Sequence, residues 1–174
     1  ATQNPIEQEG TYLLSEAQQD RFLMKETLDY PAPKDELEIL NRIEKNIFDN
    51  KGQVVTLDDV KRLQDISKKV YVDNAIKQYI VNIIHVTRNA EKVISPNLAK
   101  YIVSGASTRA SISFMEASKA LAIINGRNYV TPDDIKAVKY GILRHRIALS
   151  FEAIADGIKV EDIIDAIVSS VKAP

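Results

Sequence analysis

The chain has 174 residues, 45% of them hydrophobic and 27% charged, and a formal net charge of −1, which is ordinary for one globular domain or for one domain and part of another. The lack of cysteine excludes disulfides, thiolate catalysis and cysteine-based zinc sites, and it is consistent with a reducing cytosol. The near-zero charge argues against nucleic-acid or membrane-surface binding, and no apolar run approaches the roughly 20 residues of a membrane span.

The beginning of the chain differs in pattern from the rest. Ser15 is a preferred helix N-cap residue and predicts a short helix that ends at Arg21. The alternation of Phe22–Leu28 predicts a strand. The next seven residues, DYPAPKD, contain two prolines and predict a linker. We therefore expect one domain over residues 1–30 and a second over residues 31–174.

After this boundary the sequence predicts a series of consecutive helices. Apolar residues recur at helical spacing, capping residues or Ser-Pro and Thr-Pro pairs precede several stretches, and glycine or asparagine follows them. The predicted helices cover residues 35–52, 56–70, 74–89, 95–105, 109–125, 131–149 and 160–171. The fold class predicted is mainly α, a helical bundle preceded by a short α/β segment. The apolar stripe of the last helix can serve the core or a partner, and we favour the core.

The sequence shows no complete catalytic apparatus. His85 and His145 have no histidine or carboxylate four residues on, so no metal site is predicted. Neither G-x-x-x-x-G-K-[ST] nor G-x-G-x-x-G is present, so no phosphate-binding loop is predicted. The two Asp-Asp pairs follow helix caps, where they compensate the helix dipole. We therefore expect that this chain alone is not a complete enzyme.

Three basic sites leave alternatives open. Arg21 ends the first predicted helix, and Arg109 begins a long one, where a cation is unfavourable unless an anion is also bound. Each can contact an anionic ligand, form an ordinary ion pair or remain solvated. The basic pair Arg144 and Arg146 is predicted at the last turn of a helix, where positive charge suits the carbonyl end, so we expect a role in helix capping.

Four segments carry a family resemblance. They are ATQNPIEQEGTYLLSEAQQDRF at residues 1–22, GASTRA at 105–110, GRNYVTPDD at 126–134 and LRHR at 143–146. In this order they resemble the C-terminal half of a MoxR-family ATPase, in the helix-2-insert branch of the AAA+ superfamily. The resemblance implies that the chain begins inside an ATPase core, lacks the Walker A and B motifs, and continues into the helical lid.

The resemblance also implies roles for three residues. Asn4 matches sensor 1, which positions the water that attacks the γ-phosphate. Arg21 matches the arginine finger, which acts in trans on the ATP site of the neighbouring subunit. Arg109 matches sensor 2, which contacts nucleotide phosphate from the lid. These roles suit phosphoryl transfer, because its catalysis depends on positioning and on neutralising charge at the phosphate oxygens.

The function implied is that of a cytoplasmic, ring-forming ATPase. The intact protein is expected to form a hexameric ring, to hydrolyse ATP with Mg²⁺, and to use that energy to remodel or activate a client protein complex in a chaperone-like way. The chain by itself is expected to be inactive and to bind no cofactor. The alternative is a helical adaptor that docks a partner without nucleotide chemistry. Nucleic-acid binding is a weaker third hypothesis, because no basic stripe with interleaved aromatics is present.

Overall fold

The computed structural model describes residues 1–2, 14–47 and 52–174. These residues are mainly helical and include one small sheet, so the predicted fold class is confirmed in its mainly α character. They form two compact units, one made of Ala1–Lys25 with Val70–Pro174 and the other of Glu26–Lys69. The functional division into residues 1–30 and 31–174 stays a prediction.

The smaller unit contains two helices, α2 (Pro33–Glu44) and α3 (Leu57–Lys69). The predicted cap of α3 is confirmed, because Thr56 and Asp59 exchange hydrogen bonds between side chain and backbone. The predicted extension of α2 toward residue 52 is wrong. The helix ends at Glu44 because Asn46 adopts a φ of 51°, a left-handed conformation in which a helix cannot continue.

The larger unit holds the remaining elements. They are α1 (Glu16–Gln19), α4 (Asn74–Arg88), a 3₁₀ turn (Ala90–Lys92), α5 (Pro96–Ala99), β1 (Ile102–Ser104), α6 (Thr108–Ile124), α7 (Pro132–Leu143), β2 (Ala148–Leu149), α8 (Phe151–Ala155) and α9 (Val160–Ser170). β1 and β2 pair antiparallel, with Ile102 opposite Leu149.

The core of the larger unit lies between four helices, because α6 packs against α4 and α7, and α9 packs against the same two helices. The apolar faces that meet there are fully buried at Ile83, Phe114, Ile135, Ile142, Ile163 and Ile167. The apolar stripe of the last helix therefore serves the core, as we favoured from the sequence.

Several element predictions are wrong around the small sheet. The helix predicted to end at Gly105 ends at Ala99, and the helix predicted to reach Leu149 ends at Leu143. Instead of continuing the two helices, residues 102–104 form β1 and residues 148–149 form β2. Both strands are too short for a recognisable alternating pattern. The structure also adds α8, a single turn that the sequence did not indicate.

The strand predicted over Phe22–Leu28 is absent from the described structure. The first part of this segment is bound instead to the helices of the larger unit. The backbone N–H of Lys25 donates to the carbonyl of Gly141 at 2.8 Å, and nearby carbonyls accept from arginine side chains. These contacts satisfy part of its backbone without a neighbouring strand, which an extended segment otherwise requires.

Candidate functional site

The turn before Arg109 is fixed by the end of α4. The backbone N–H of Ala106 donates to the hydroxyl of Thr87 at 3.0 Å, and the guanidinium of Arg88 donates to the carbonyl of Ala106 at 2.7 Å. Gly105 lies so close to α4 that a Cβ there would be 2.4 Å from the carbonyl oxygen of Thr87. Only glycine fits at this position, and the close approach determines where α6 begins.

Ser107 is the N-cap of α6, and its hydroxyl accepts a hydrogen bond from the backbone N–H of Arg109 at 3.1 Å. The same hydroxyl donates to the carboxylate of Asp20, at 2.8 Å from one oxygen and 3.0 Å from the other. Asp20 is separated from Ser107 by 87 positions in the sequence. Ser107 therefore both caps α6 and binds the segment that contains Arg21.

The Asp20 carboxylate has two further partners, both arginines. Arg109 donates from Nη1 at 3.0 Å and Arg146 donates from Nε at 3.0 Å. Burial alone would raise the pKa of Asp20, but the hydrogen bonds from Ser107, Arg109 and Arg146 outweigh it and hold the pKa below its ordinary value. Asp20 is thus ionised and joins the start of α6 to Arg146, which lies beyond the end of α7 at Leu143.

Arg146 is the most enclosed charged group of the site, with a side chain 1% exposed. All three of its guanidinium nitrogens donate hydrogen bonds, whose acceptors are the carboxylate and carbonyl of Asp20, the carbonyls of Phe22, Leu23 and Ile142, and the hydroxyl of Ser113. The expected role at the end of a helix is met only in part, because Nη1 of Arg146 donates to the carbonyl of Ile142, in the last turn of α7, at 2.7 Å. Arg146 lies beyond the last residue of α7 and also binds a distant segment, which a helical pattern cannot reveal.

Arg21 itself is exposed, and its side chain has no hydrogen bond or ion pair among residues 1–2, 14–47 and 52–174. Its backbone is nevertheless held. The N–H of Arg21 donates to the carbonyl of Gln18 at 3.3 Å, and the N–H of Phe22 donates to that of Gln19 at 3.0 Å. Within the part of the chain that the structure describes, the guanidinium of Arg21 is thus unpaired and exposed, while the backbone on both sides of its Cα is hydrogen-bonded.

A cleft of about 310 Å³ lies beside this cluster and is lined in part by Asp20, Ser107, His145 and Arg146. The ring of His145 has its Nε2 at 3.3 Å from the carbonyl of Phe22, while its Nδ1 is buried without a partner in the described structure. Burial and the neighbouring charge of Arg146 lower the pKa of His145, more than the contact with the carbonyl raises it. The imidazole is therefore held in its neutral form.

The structure brings two of the three predicted site residues to one place. Arg21 and Arg109 flank Asp20, the first as its sequence neighbour and the second through an ion pair. Asn4 lies outside the described residues. Sequence reasoning missed Asp20, Ser107, Ser113 and Arg146 as site residues. The signal that could have found them is their presence in the quoted DRF, GASTRA and LRHR segments, except for Ser113, which lies inside α6 and had no signal.

The described site combines arginine side chains with the carboxylate of Asp20 and the imidazole of His145. Among the residues that the structure describes, no group of three histidine or acidic side chains could hold a metal ion. Within the same residues, no helix is both long and apolar enough to span a bilayer. Because Arg146 is occupied by its own acceptors, the guanidinium groups open to an added anion are those of Arg21 and Arg109, and planar arginine donors match carboxylate and phosphate oxygens.

Two family profiles match the chain. That of the AAA lid domain matches residues 97–167, and that of the ATPase family associated with various cellular activities (AAA) matches residues 1–24. Chaperone MoxR1 of Mycobacterium tuberculosis is 40% identical over 174 residues, a match that covers 100% of this chain and 46% of that protein. YeaC of Bacillus subtilis is 41% identical over 175 residues, with 100% and 52% covered.

Protein MoxR of Paracoccus denitrificans is 27% identical over 189 residues, covering 100% of this chain and 55% of that protein. The fold is also similar to a crystal structure described as an ATPase of Cytophaga hutchinsonii, with a TM-score of 0.88, 40% identity, and coverage of 99% of this chain and 52% of that one. The chain thus spans about half the length of the curated relatives it matches. It belongs to the MoxR family of AAA+ ATPases, with a part of the ATPase domain followed by the lid domain.

Proposed function

We propose that this chain supplies arginine and asparagine contacts to the triphosphate of ATP within a ring of like subunits. In this proposal Arg21 is the arginine finger that enters the nucleotide site of the neighbouring subunit, Arg109 is sensor 2, and Asn4 is sensor 1. The observation that carries the proposal is the exposed guanidinium of Arg21, which has no partner in the described structure although its backbone is held.

An unpaired arginine on a bound backbone suits a ligand supplied by another molecule. A surface arginine commonly finds a carboxylate nearby, as Arg109 does with Asp20 at 3.0 Å. In phosphoryl transfer, a guanidinium that reaches the γ-phosphate neutralises the charge that develops on its oxygens, and a finger supplied in trans changes the rate by about 10³ to 10⁵. Arg109 is 54% exposed in its side chain, so it can exchange its carboxylate partner for a phosphate at little cost.

Mg²⁺ accompanies ATP in such reactions, but the described residues of this chain do not fit a magnesium site. They contain no group of three acidic or histidine side chains that could hold a metal ion. We propose that residues outside the described part of this chain bind the metal. This chain's own contribution is the placement of positive charge, and by itself it is expected not to turn over ATP.

The intact protein would couple ATP hydrolysis to the remodelling or activation of a client protein complex in the cytoplasm. This part of the proposal is supported by the name of the relative Chaperone MoxR1 and by the family membership. The adaptor hypothesis loses its main support, because the apolar stripe of the last helix is buried in the core, with Ile163, Ile164 and Ile167 at 0% exposure. No observation favours it over the ATPase.

The test is the substitution Arg21→Ala in the full-length protein that contains this chain. We expect ATP hydrolysis to fall by about 10³-fold or more, with ATP affinity retained, because the finger acts on the transition state of a neighbouring site. Arg62→Ala is the matched control. Arg62 is also an exposed arginine, 73% exposed in its side chain, and among the described residues it pairs only with Asp59 on its own helix. Full hydrolysis by Arg21→Ala would refute the proposal.

A second measurement uses the 174-residue chain by itself. We expect no ATP turnover above the background of a buffer blank. Turnover at the rate of the full-length protein would contradict the assignment of the remaining catalytic parts to sequence outside this chain.

A further inference from the structure

We propose that Arg146 is a positioning residue for the arginine finger, so that the lid of a subunit sets the direction of the finger which that subunit offers to its neighbour. The inference rests on the proposed role of Arg21. It assigns to the LRHR segment a task in catalysis that a solvated or helix-capping arginine would not have.

The first step of the argument is the distribution of the Arg146 hydrogen bonds. Four of the six go to the segment that flanks Arg21, because Nε binds the carboxylate of Asp20, Nη2 binds the carbonyls of Asp20 and Phe22, and Nη1 binds that of Leu23. The residues on both sides of Arg21 are thus held by one guanidinium. Since the backbone orientation of Arg21 is set by its two neighbours, Arg146 fixes the point from which the finger extends.

The second step concerns how Arg146 itself is held. Its remaining hydrogen bonds go to the carbonyl of Ile142 at 2.7 Å, in the last turn of α7, and to the hydroxyl of Ser113 at 3.1 Å, on α6. Both acceptors belong to the packed helices, and Ile142 is fully buried. The guanidinium of Arg146 is therefore hydrogen-bonded to the packed helices on one side. On the other side it is hydrogen-bonded to residues 20–23, here called the finger segment. A displacement of α6 against α7 would move the backbone around Arg21.

The third step is that the planar guanidinium group is required. An arginine offers five N–H donors in a fixed plane, whereas a lysine ammonium offers three and no fork. Lysine at this position would keep the positive charge beside Asp20 but could not reach the three backbone carbonyls and the carboxylate together. Arg146→Lys therefore separates positioning from charge. A misplacement of about 1 Å in a catalytic group can lower a rate by about 10²-fold.

The experiment uses full-length protein and measures kcat, ATP affinity and rescue in mixed rings. We expect Arg146→Lys to lower kcat by about 10²-fold with ATP affinity unchanged. Arg127→Lys is the matched control, because Arg127 also holds a carboxylate and a backbone carbonyl, but at Asp134 and Tyr129. Arg127→Lys alters contacts with a carboxylate and a carbonyl that lie outside the finger segment, so we expect kcat to be retained in this variant.

Mixed rings distinguish a finger defect from a general one. Subunits with Asn4→Ala keep an intact finger but lose their own sensor 1, so they can supply a finger to a subunit whose nucleotide site is sound. We expect Arg146→Lys and Arg21→Ala each to regain activity when mixed with Asn4→Ala, and not to regain it when mixed with one another. If Arg146 acted on the nucleotide site of its own subunit, Asn4→Ala would not rescue its variant, and the inference would be overturned.

Hydrogen exchange gives a readout that does not depend on activity. The amides of Arg21, Phe22 and Lys25 are hydrogen-bonded, to Gln18, Gln19 and Gly141. We expect these amides to exchange faster in Arg146→Lys than in the parent protein or in Arg127→Lys, because the neighbouring carbonyls are no longer held. Unchanged exchange in this segment would overturn the inference.

A second variant covers the case in which Arg146→Lys fails to fold. Asp20→Asn keeps the shape of the side chain and removes the charge that Arg146 and Arg109 both bind, and it is expected to lower kcat and to speed the exchange of the Arg21, Phe22 and Lys25 amides. The two proposals can fail separately. Full hydrolysis by Arg21→Ala would refute the finger and this inference with it, whereas full hydrolysis by Arg146→Lys beside an inactive Arg21→Ala would refute this inference alone.

Discussion

The guanidinium of Arg146 binds the carboxylate of Asp20 at 3.0 Å, although the two residues are 126 positions apart in the sequence. The side chain of Arg146 is 1% exposed and that of Asp20 is 15% exposed, so the pair is largely removed from water. The loss of either partner leaves the other charge in a poorly solvated place, which is strongly unfavourable. This pair therefore ties residues 20–23 to the helices of the larger unit.

Because Gly105 lies so close to the backbone of α4, we expect even its replacement by alanine to destabilise the fold strongly. In Gly105→Ala the new Cβ would lie 2.4 Å from the carbonyl oxygen of Thr87 and 2.8 Å from the backbone nitrogen of Arg88. Both atoms belong to the backbone at the end of α4, which cannot give way without disturbing that helix. We expect the free energy of unfolding to fall by about 3 kcal/mol, measured by urea denaturation of the chain.

Gly126→Ala serves as the comparison. A Cβ at Gly126 would have nothing within 4 Å, and the only cost is the left-handed backbone conformation, with a φ of 70°. We expect a loss of about 1 kcal/mol in the same measurement. If the two variants lost equal stability, the steric reason given for Gly105 would be wrong.

The buried carboxylate at the start of α7 predicts a second stability effect. Asp134 is 3% exposed and accepts two hydrogen bonds from the guanidinium of Arg127, together with those from the backbone and hydroxyl of Thr131. In Asp134→Asn the amide would present N–H groups to the guanidinium, and the charge of Arg127 would lose its partner. We expect the free energy of unfolding to fall by about 3 kcal/mol.

Asp58→Asn is the control for this effect. The carboxylate of Asp58 is 91% exposed and lies 3.6 Å from Lys61, so its replacement is expected to change stability by less than about 0.5 kcal/mol. Thermal unfolding of both variants, followed by far-ultraviolet circular dichroism, gives the comparison. Equal midpoints for Asp134→Asn and the parent chain would contradict the assignment of this ion pair as a stabilising contact.

His145 predicts a dependence of stability on mildly acidic pH. Burial, which has the larger effect, and the charge of Arg146 both lower the pKa of His145 in the folded chain below its ordinary value of 6.5. Between these two pKa values the unfolded chain binds more protons than the folded chain, so stability falls as pH decreases. We expect the free energy of unfolding to decrease as the pH falls through about 6.5, and His145→Gln to reduce this slope. An unchanged slope in His145→Gln would contradict this origin.

The existence of most helices followed from local patterns. The caps at Ser15, Thr56 and Thr131 and the periodic apolar residues of α4 and α9 act within a few residues of one another, so they can be read along the chain. Boundaries were less predictable where tertiary contacts set them. α5 and α7 stop early because β1 and β2 pair with one another, and that pairing joins residues far apart in the sequence.

The sequence by itself determined the mainly α class, the positions of the capped helix starts, and, through the order of its motifs, the family resemblance with Arg21 and Arg109 as candidate residues. Only the tertiary structure decided that Asp20 and Arg146 bind one another and that Arg146 holds the backbone on both sides of Arg21. The reason is physical. A cap or an apolar stripe acts over one or two helical turns, whereas a buried guanidinium takes its partners from whichever backbone the fold brings within about 3 Å.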